Sequence, residues 1–213
     1  RLDEPKMARL KEYQIIQQRI SKYDNNAKYY INLLPNSTPK VLESIGVKTY
    51  PEYLQAYSTI KQPQISYDFY PVQGKTARNC KPKPILDDIR KESLRTGRPF
   101  WAYIMCVPHQ IYPMPTIGHL RLQCYVNLAY GAQGIQYFSY STPAPTNQYE
   151  FHDGPLLRNG KKSPTYKLVK KMNAELKPVA SLFWKSVVTG IEHRKCVDGE
   201  VVVSHFKKEG RRI

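Results

Sequence analysis

An α/β fold assembled from parallel β/α units is what this sequence predicts, and three observations predict it. Amphipathic stretches at helical spacing alternate with strand-length apolar runs along most of the chain. The apolar runs are near-continuous and bounded by proline, as at Pro71, Pro99 and Pro108, which suits strands buried on both faces. Past Trp184 the texture changes to β-branched segments around Asp198-Gly199, a hairpin signal that marks a separate antiparallel element.

The elements follow in order. Met7, Leu10, Tyr13, Ile16 and Ile20 form an apolar stripe that predicts a helix over 6–21. The aromatic run 28–34, closed by Pro35-Asn36, predicts a strand, and 51–61 a weak helix. A strand over 64–70 stops at Pro71. The helix over 84–96 places Ile85, Ile89 and Leu94 inward and ends at Gly97. Residues 99–106 are the next strand, and the loop after it carries His109. A helix over 116–130 ends at Gly131, a strand follows at 134–140, and a long helix over 163–182 runs through Pro178. Short crossovers between such units build either an open parallel sheet or a closed barrel. Four strands are too few to close a barrel.

Composition narrows the function classes. The chain has 41% hydrophobic and 23% charged residues over 213 positions, which is globular rather than disordered. Its 17 tyrosines suit either a cleft for a hydroxyl-rich ligand or packing at strand ends. The net charge of +16 raises nucleic acid as a partner. The basic pairs Lys161-Lys162, Lys170-Lys171 and Lys207-Lys208 are short, however, and lack interleaved aromatics, so a solvated surface and no nucleic-acid partner are expected. Cys80, Cys106, Cys124 and Cys196 are scattered, without metal-ligand spacing; no metal and no cofactor are expected, and Cys106 and Cys124 read as buried. No apolar run approaches the ~20 residues of a membrane helix, so no membrane partner is expected.

In parallel β/α folds the chemistry gathers where strands end. The residues there are Asp3-Glu4, Asn32 and Asn36, Tyr67-Asp68-Tyr70, His109, Gln136 and Tyr140, and Glu150 to Asp153. Carboxylates, amides and phenols hydrogen-bond sugar hydroxyls, and two carboxylates flanking a glycosidic bond supply an acid and a base or nucleophile.

Leu2-Asp3-Glu4-Pro5 leading into a helix resembles the Asn/Asp-Glu-Pro segment at the end of the fourth strand in the clan of (β/α)₈ glycoside hydrolases. The run from Leu120 to Tyr140 is similar to the seventh-helix and eighth-strand region of β-galactosidase-like barrels, and Asp153 to Tyr166 resembles the loop and last-helix start that follow it. The resemblance implies the C-terminal half of a (β/α)₈ TIM barrel over 1–185, units five to eight, followed by the start of an all-β domain over 186–213. It implies that the N-terminal half of the barrel lies outside this chain, that the protein is secreted or periplasmic, and that Glu4 is the acid/base. The family places a nucleophilic Glu at the end of the seventh strand. Here that strand ends Ile104-Met105-Cys106-Val107, with no carboxylate.

The resulting expectation is a glycoside hydrolase acting on a carbohydrate substrate, with Glu4 and Asp68 catalytic. Asn32, Tyr67, Tyr70, His109, Gln136, Tyr140, Glu150 and Asp153 are expected to contact substrate. The alternative is a carbohydrate-binding barrel that has lost its second carboxylate. Each main candidate has a plainer role: Asp3-Glu4-Pro5 suits a helix start, Asp68 suits bonds to loop amides, and His109 and His152 suit a surface loop.

Overall fold

The computed structural model describes residues 2–35, 38–74, 82–197, 199–208 and 211–212; Asn36, Cys80 and Asp198 lie outside them. In chain order the elements are β1 (Leu2–Asp3), α1 (Leu10–Tyr23), β2 (Ile31–Leu33), α2 (Pro39–Ile45), α3 (Tyr50–Tyr57), β3 (Ile65–Asp68), α4 (Pro82–Thr96), β4 (Phe100–Met105), α5 (Ile117–Ala129), β5 (Gly134–Phe138) and α6 (Pro164–Phe183). β6 (Val187–Cys196), β7 (Gly199–Lys208) and β8 (Arg211–Arg212) complete the chain. The first five strands hydrogen-bond in chain order, and the last three form a separate sheet.

The β/α alternation is as the residue pattern predicts, with additions. β1 is a two-residue strand that periodicity is too short to reveal; it is parallel to β2, Asp3 standing opposite Asn32. β2 in turn is parallel to β3, with Asn32 opposite Ser66 and Leu33 opposite Tyr67. α2 was not legible as a helix, yet its local signals are complete: the Thr38 hydroxyl accepts from Val41 N–H, Pro39 opens the first turn, and Gly46 closes it at φ +88°. Pro178 sits inside a continuous α6.

The chain gathers into two compact units, 1–69 with 82–102 and 70–81 with 103–213. In the first, Ile31, Leu33, Ile65 and Tyr67 from the strands and Tyr53, Leu54, Tyr57, Ile85 and Ile89 from α3 and α4 are buried. Two expected inward faces are corrected here. Of the α1 stripe only Tyr13 is buried, while Ile16 and Ile20 are exposed. Leu94 is also exposed. It lies nine residues, two and a half turns, from Ile85 and so on the opposite side. The inward position is Glu92, whose buried carboxylate takes two bonds from Arg95 at 2.7 and 2.6 Å.

In the second unit Ile104, Cys106, Val107, Leu120, Cys124, Phe151 and Met172 form the core, which bears out the buried reading of the two cysteines. β6 and β7 pair antiparallel, with Cys196 opposite Gly199 and a bulge between Val188 and Gly190. Among the described residues no helix is long and apolar enough to cross a membrane.

Candidate active site

The first unit carries a polar row on its sheet. Register puts Asp3, Asn32 and Ser66 side by side, and alternation adds Asp68 two residues on. The intervening residues Leu33, Ile65 and Tyr67 project from the other face and are buried. Asn32 Nδ2 donates to Asp68 Oδ1 at 3.0 Å and to Asp3 Oδ1 at 3.2 Å. Its Oδ1 accepts from the Ser66 hydroxyl at 3.0 Å, and Ser66 Oγ lies 2.8 Å from the Tyr30 hydroxyl.

Glu4 follows β1 directly. Its N–H extends the ladder by donating to Asn32 O at 2.9 Å, and its φ of +45° is a left-handed conformation that a residue with a Cβ adopts at a cost of about 1 kcal/mol or more. The following segment is anchored from α3: the Tyr53 hydroxyl donates to Pro5 O and the Tyr57 hydroxyl to Lys6 O, both at 2.7 Å. Helix capping does not account for the acidic pair. The 3₁₀ turn Met7–Arg9 is capped by Lys6 and α1 by Arg9, neither with a side-chain bond.

Glu4 as a residue keeps solvent contact. The protein packed around its carboxyl, and then the negative charges of Asp68 and Asp3, nevertheless raise its pKa from the ordinary 4.5 to about 7. The site therefore holds a carboxyl whose pKa lies near neutrality, the range in which a general acid works.

Two expected ligand contacts in this unit are placed elsewhere. Asn32 is 3% exposed, with both amide hydrogens engaged, and stands behind the carboxylates. Tyr67 is fully buried against Phe100, ring centroids 6.2 Å apart, because its position has the parity of the apolar face. That parity was legible in Ile65-Ser66-Tyr67-Asp68. The roles of Ser66, Tyr30 and Tyr53 were not, because each depends on a partner from a different element.

The second unit carries an aromatic group around His109. The imidazole lies 4.9 Å from Tyr112, 4.7 Å from Phe151, 5.8 Å from Phe138 and 5.9 Å from Tyr149, centroid to centroid. Tyr70 joins through Tyr112 at 5.6 Å and Phe138 at 6.4 Å. His109 is buried, and its Nδ1 sits 2.8 Å from Val107 O, which fixes the proton on that nitrogen. Burial lowers its pKa, so the ring is neutral at pH 7. Gln136 is half-buried on β5, Tyr140 is 76% exposed just beyond it, and Glu150 is exposed. Asp153, at φ +49°, meets His152 Nδ1 at 3.1 Å. At the end of β4, Cys106 Sγ turns toward Phe138 O at 3.3 Å; no carboxylate stands on Met105, Cys106 or Val107. Among the described residues no group of three His, Cys, Asp or Glu side chains is arranged to hold a metal.

Comparison with solved structures places the fold. A β-galactosidase from the psychrophilic Marinomonas ef1 superposes with a TM-score of 0.56 at 15% identity, over 82% of this chain and 27% of its own. A putative α-L-fucosidase from Bacteroides thetaiotaomicron VPI-5482 superposes with a TM-score of 0.52 at 9% identity, over 82% of this chain and 54% of its own. The fold is thus that of barrel glycosidases, and this chain spans about a quarter to a half of the length of these two. No curated protein matches by sequence. The sequence profile of the β-galactosidases of glycoside hydrolase family 42 matches residues 22–179, and the chain belongs to that family.

Proposed function

We propose that the protein containing this chain hydrolyses a glycosidic bond, with a β-galactoside as the substrate class that the family implies. Glu4 is the general acid that protonates the leaving oxygen, and Asp68 is the partner carboxylate. The observation that carries this reading is the grouping of three carboxyls, Asp3, Glu4 and Asp68, at the ends of β1 and β3, with the Glu4 pKa raised to about 7. Residues 1–185 belong to the sugar-processing barrel and 186–213 to an appended β domain. His109, Tyr70, Gln136, Tyr140, Glu150 and Asp153 are the candidates for sugar contact. For His109 and Tyr70 the aromatic surround supports this, since ring faces pack against the C–H faces of sugars.

The test is turnover of an aryl β-galactoside by the full-length protein. Glu4→Gln is expected to lower kcat by about 10²–10⁴-fold, the usual contribution of a positioned acid; unchanged turnover sinks the assignment. The β4 end supports a second reading, a carbohydrate-binding barrel without catalysis, because a buried thiol stands where the resemblance expects a nucleophile. Galactoside binding without turnover, equal in the native protein and Glu4→Gln, is the result that selects it.

A further inference from the structure

We propose that Asn32 is the positioning residue of this site: its amide, aligned by Ser66 and Tyr30, holds Asp68 and Asp3 beside Glu4 as acceptors and so assigns the proton of the three-carboxyl group to Glu4. The inference rests on the acid/base reading for its catalytic meaning.

The geometry has one consistent polarity. Two carboxylates accept from the same end of Asn32, at 3.0 and 3.2 Å, so that end is the NH₂. A flipped amide sets its oxygen against both anions. The remaining oxygen takes the Ser66 proton at 3.0 Å, which leaves Ser66 to accept from the Tyr30 hydroxyl at 2.8 Å. The chain therefore runs Tyr30 to Ser66 to Asn32 and forks to two carboxylates on different strands. It is shielded from water at Asn32, where hydrogen bonds are electrostatically stronger than in solvent.

A carboxylate that accepts N–H bonds is favoured in its charged form. With both amide hydrogens of Asn32 committed to Asp68 and Asp3, the proton of the group belongs on the third carboxyl, which takes no bond from Asn32. That is Glu4. The titratable groups acting on Glu4 are Asp3 from its own strand, Asp68 from β3 and Tyr53 from α3. Tyr53 stays neutral, because burial raises its pKa well above the usual phenol value. Asn32, Ser66 and Tyr30 stabilise charge without carrying any, which is why a search for acids and bases does not find them.

The experiment follows the Glu4 carboxyl by difference infrared titration of the full-length protein against Glu4→Gln, alongside the pH profile of kcat/KM on an aryl β-galactoside. In Asn32→Ala the Glu4 carboxyl is expected to titrate about one pH unit lower, because Asp68 and Asp3 then compete for the proton. The basic limb of the profile moves with it; kcat at pH 7 falls about tenfold while KM changes less than about threefold. Ser66→Ala gives a smaller shift of the same sign and Ser66→Thr restores the native titration, so the inference remains testable if Asn32→Ala does not fold. An unmoved Glu4 titration in the folded variants, with or without a uniform loss of activity, overturns it. If the titration moves but Glu4→Gln stays active, the proton assignment stands and the acid-catalysis reading falls.

Discussion

Glu4 pairs a left-handed backbone with a proton affinity raised to about 7, and both features place a cost on folding. Below pH 4.5 the carboxyl is protonated in folded and unfolded chains alike and the raised value costs nothing. Between pH 4.5 and 7 the unfolded chain ionises while the folded site keeps its proton, so stability falls as pH rises through that window and stays lower above it. Glutamine mimics the protonated form. Glu4→Gln is therefore expected to unfold at higher urea concentration than the native protein at pH 8 and at nearly the same concentration at pH 4; equal midpoints at pH 8 contradict the raised proton affinity. Removing the ionisable group thus stabilises the fold, as expected where a carboxyl is held in an unfavourable setting.

Among the elements, α3 links packing to the site. Thr49 and Pro51 start it, and its stripe of Tyr50, Tyr53, Leu54 and Tyr57 is buried. The two hydroxyls that reach Pro5 O and Lys6 O turn that stripe into the clamp behind Glu4. Tyr53→Phe leaves Pro5 O without this donor and is expected to cost about 0.5–1.5 kcal/mol in urea unfolding. Packing is the reading of the tyrosine surplus that the first unit bears out. Tyr50, Tyr53, Tyr57 and Tyr67 build the first unit's core, while Tyr112 and Tyr149 lie against the His109 ring and Tyr70 against Tyr112. Composition cannot separate the two uses, because a phenol serves either environment; neighbours decide. In α4, by contrast, the phase of Ile85, Ile89 and Glu92 was present in the sequence, and Leu94 simply lies off that phase.

For the whole molecule, the family and the β/α alternation carry the architecture, and each unit buries an apolar core of its own. Met172 is fully enclosed in the second unit's cluster with Leu120, Cys124 and Phe151. Met172→Ala is expected to destabilise by about 2–5 kcal/mol, measured as a lower urea midpoint with unchanged slope; a cost under 1 kcal/mol implies that the cluster collapses to fill the space. By itself the sequence determined the β/α order, most helix limits, the antiparallel hairpin and the buried cysteines, because propensity, period and capping are local. Tertiary structure alone decided that β1 exists, that the Asn32 amide bonds Asp3, Asp68 and Ser66, and that the Tyr53 hydroxyl reaches Pro5 O. These depend on parallel register between strands about 30 residues apart, and no local pattern encodes which residue another strand will set beside it.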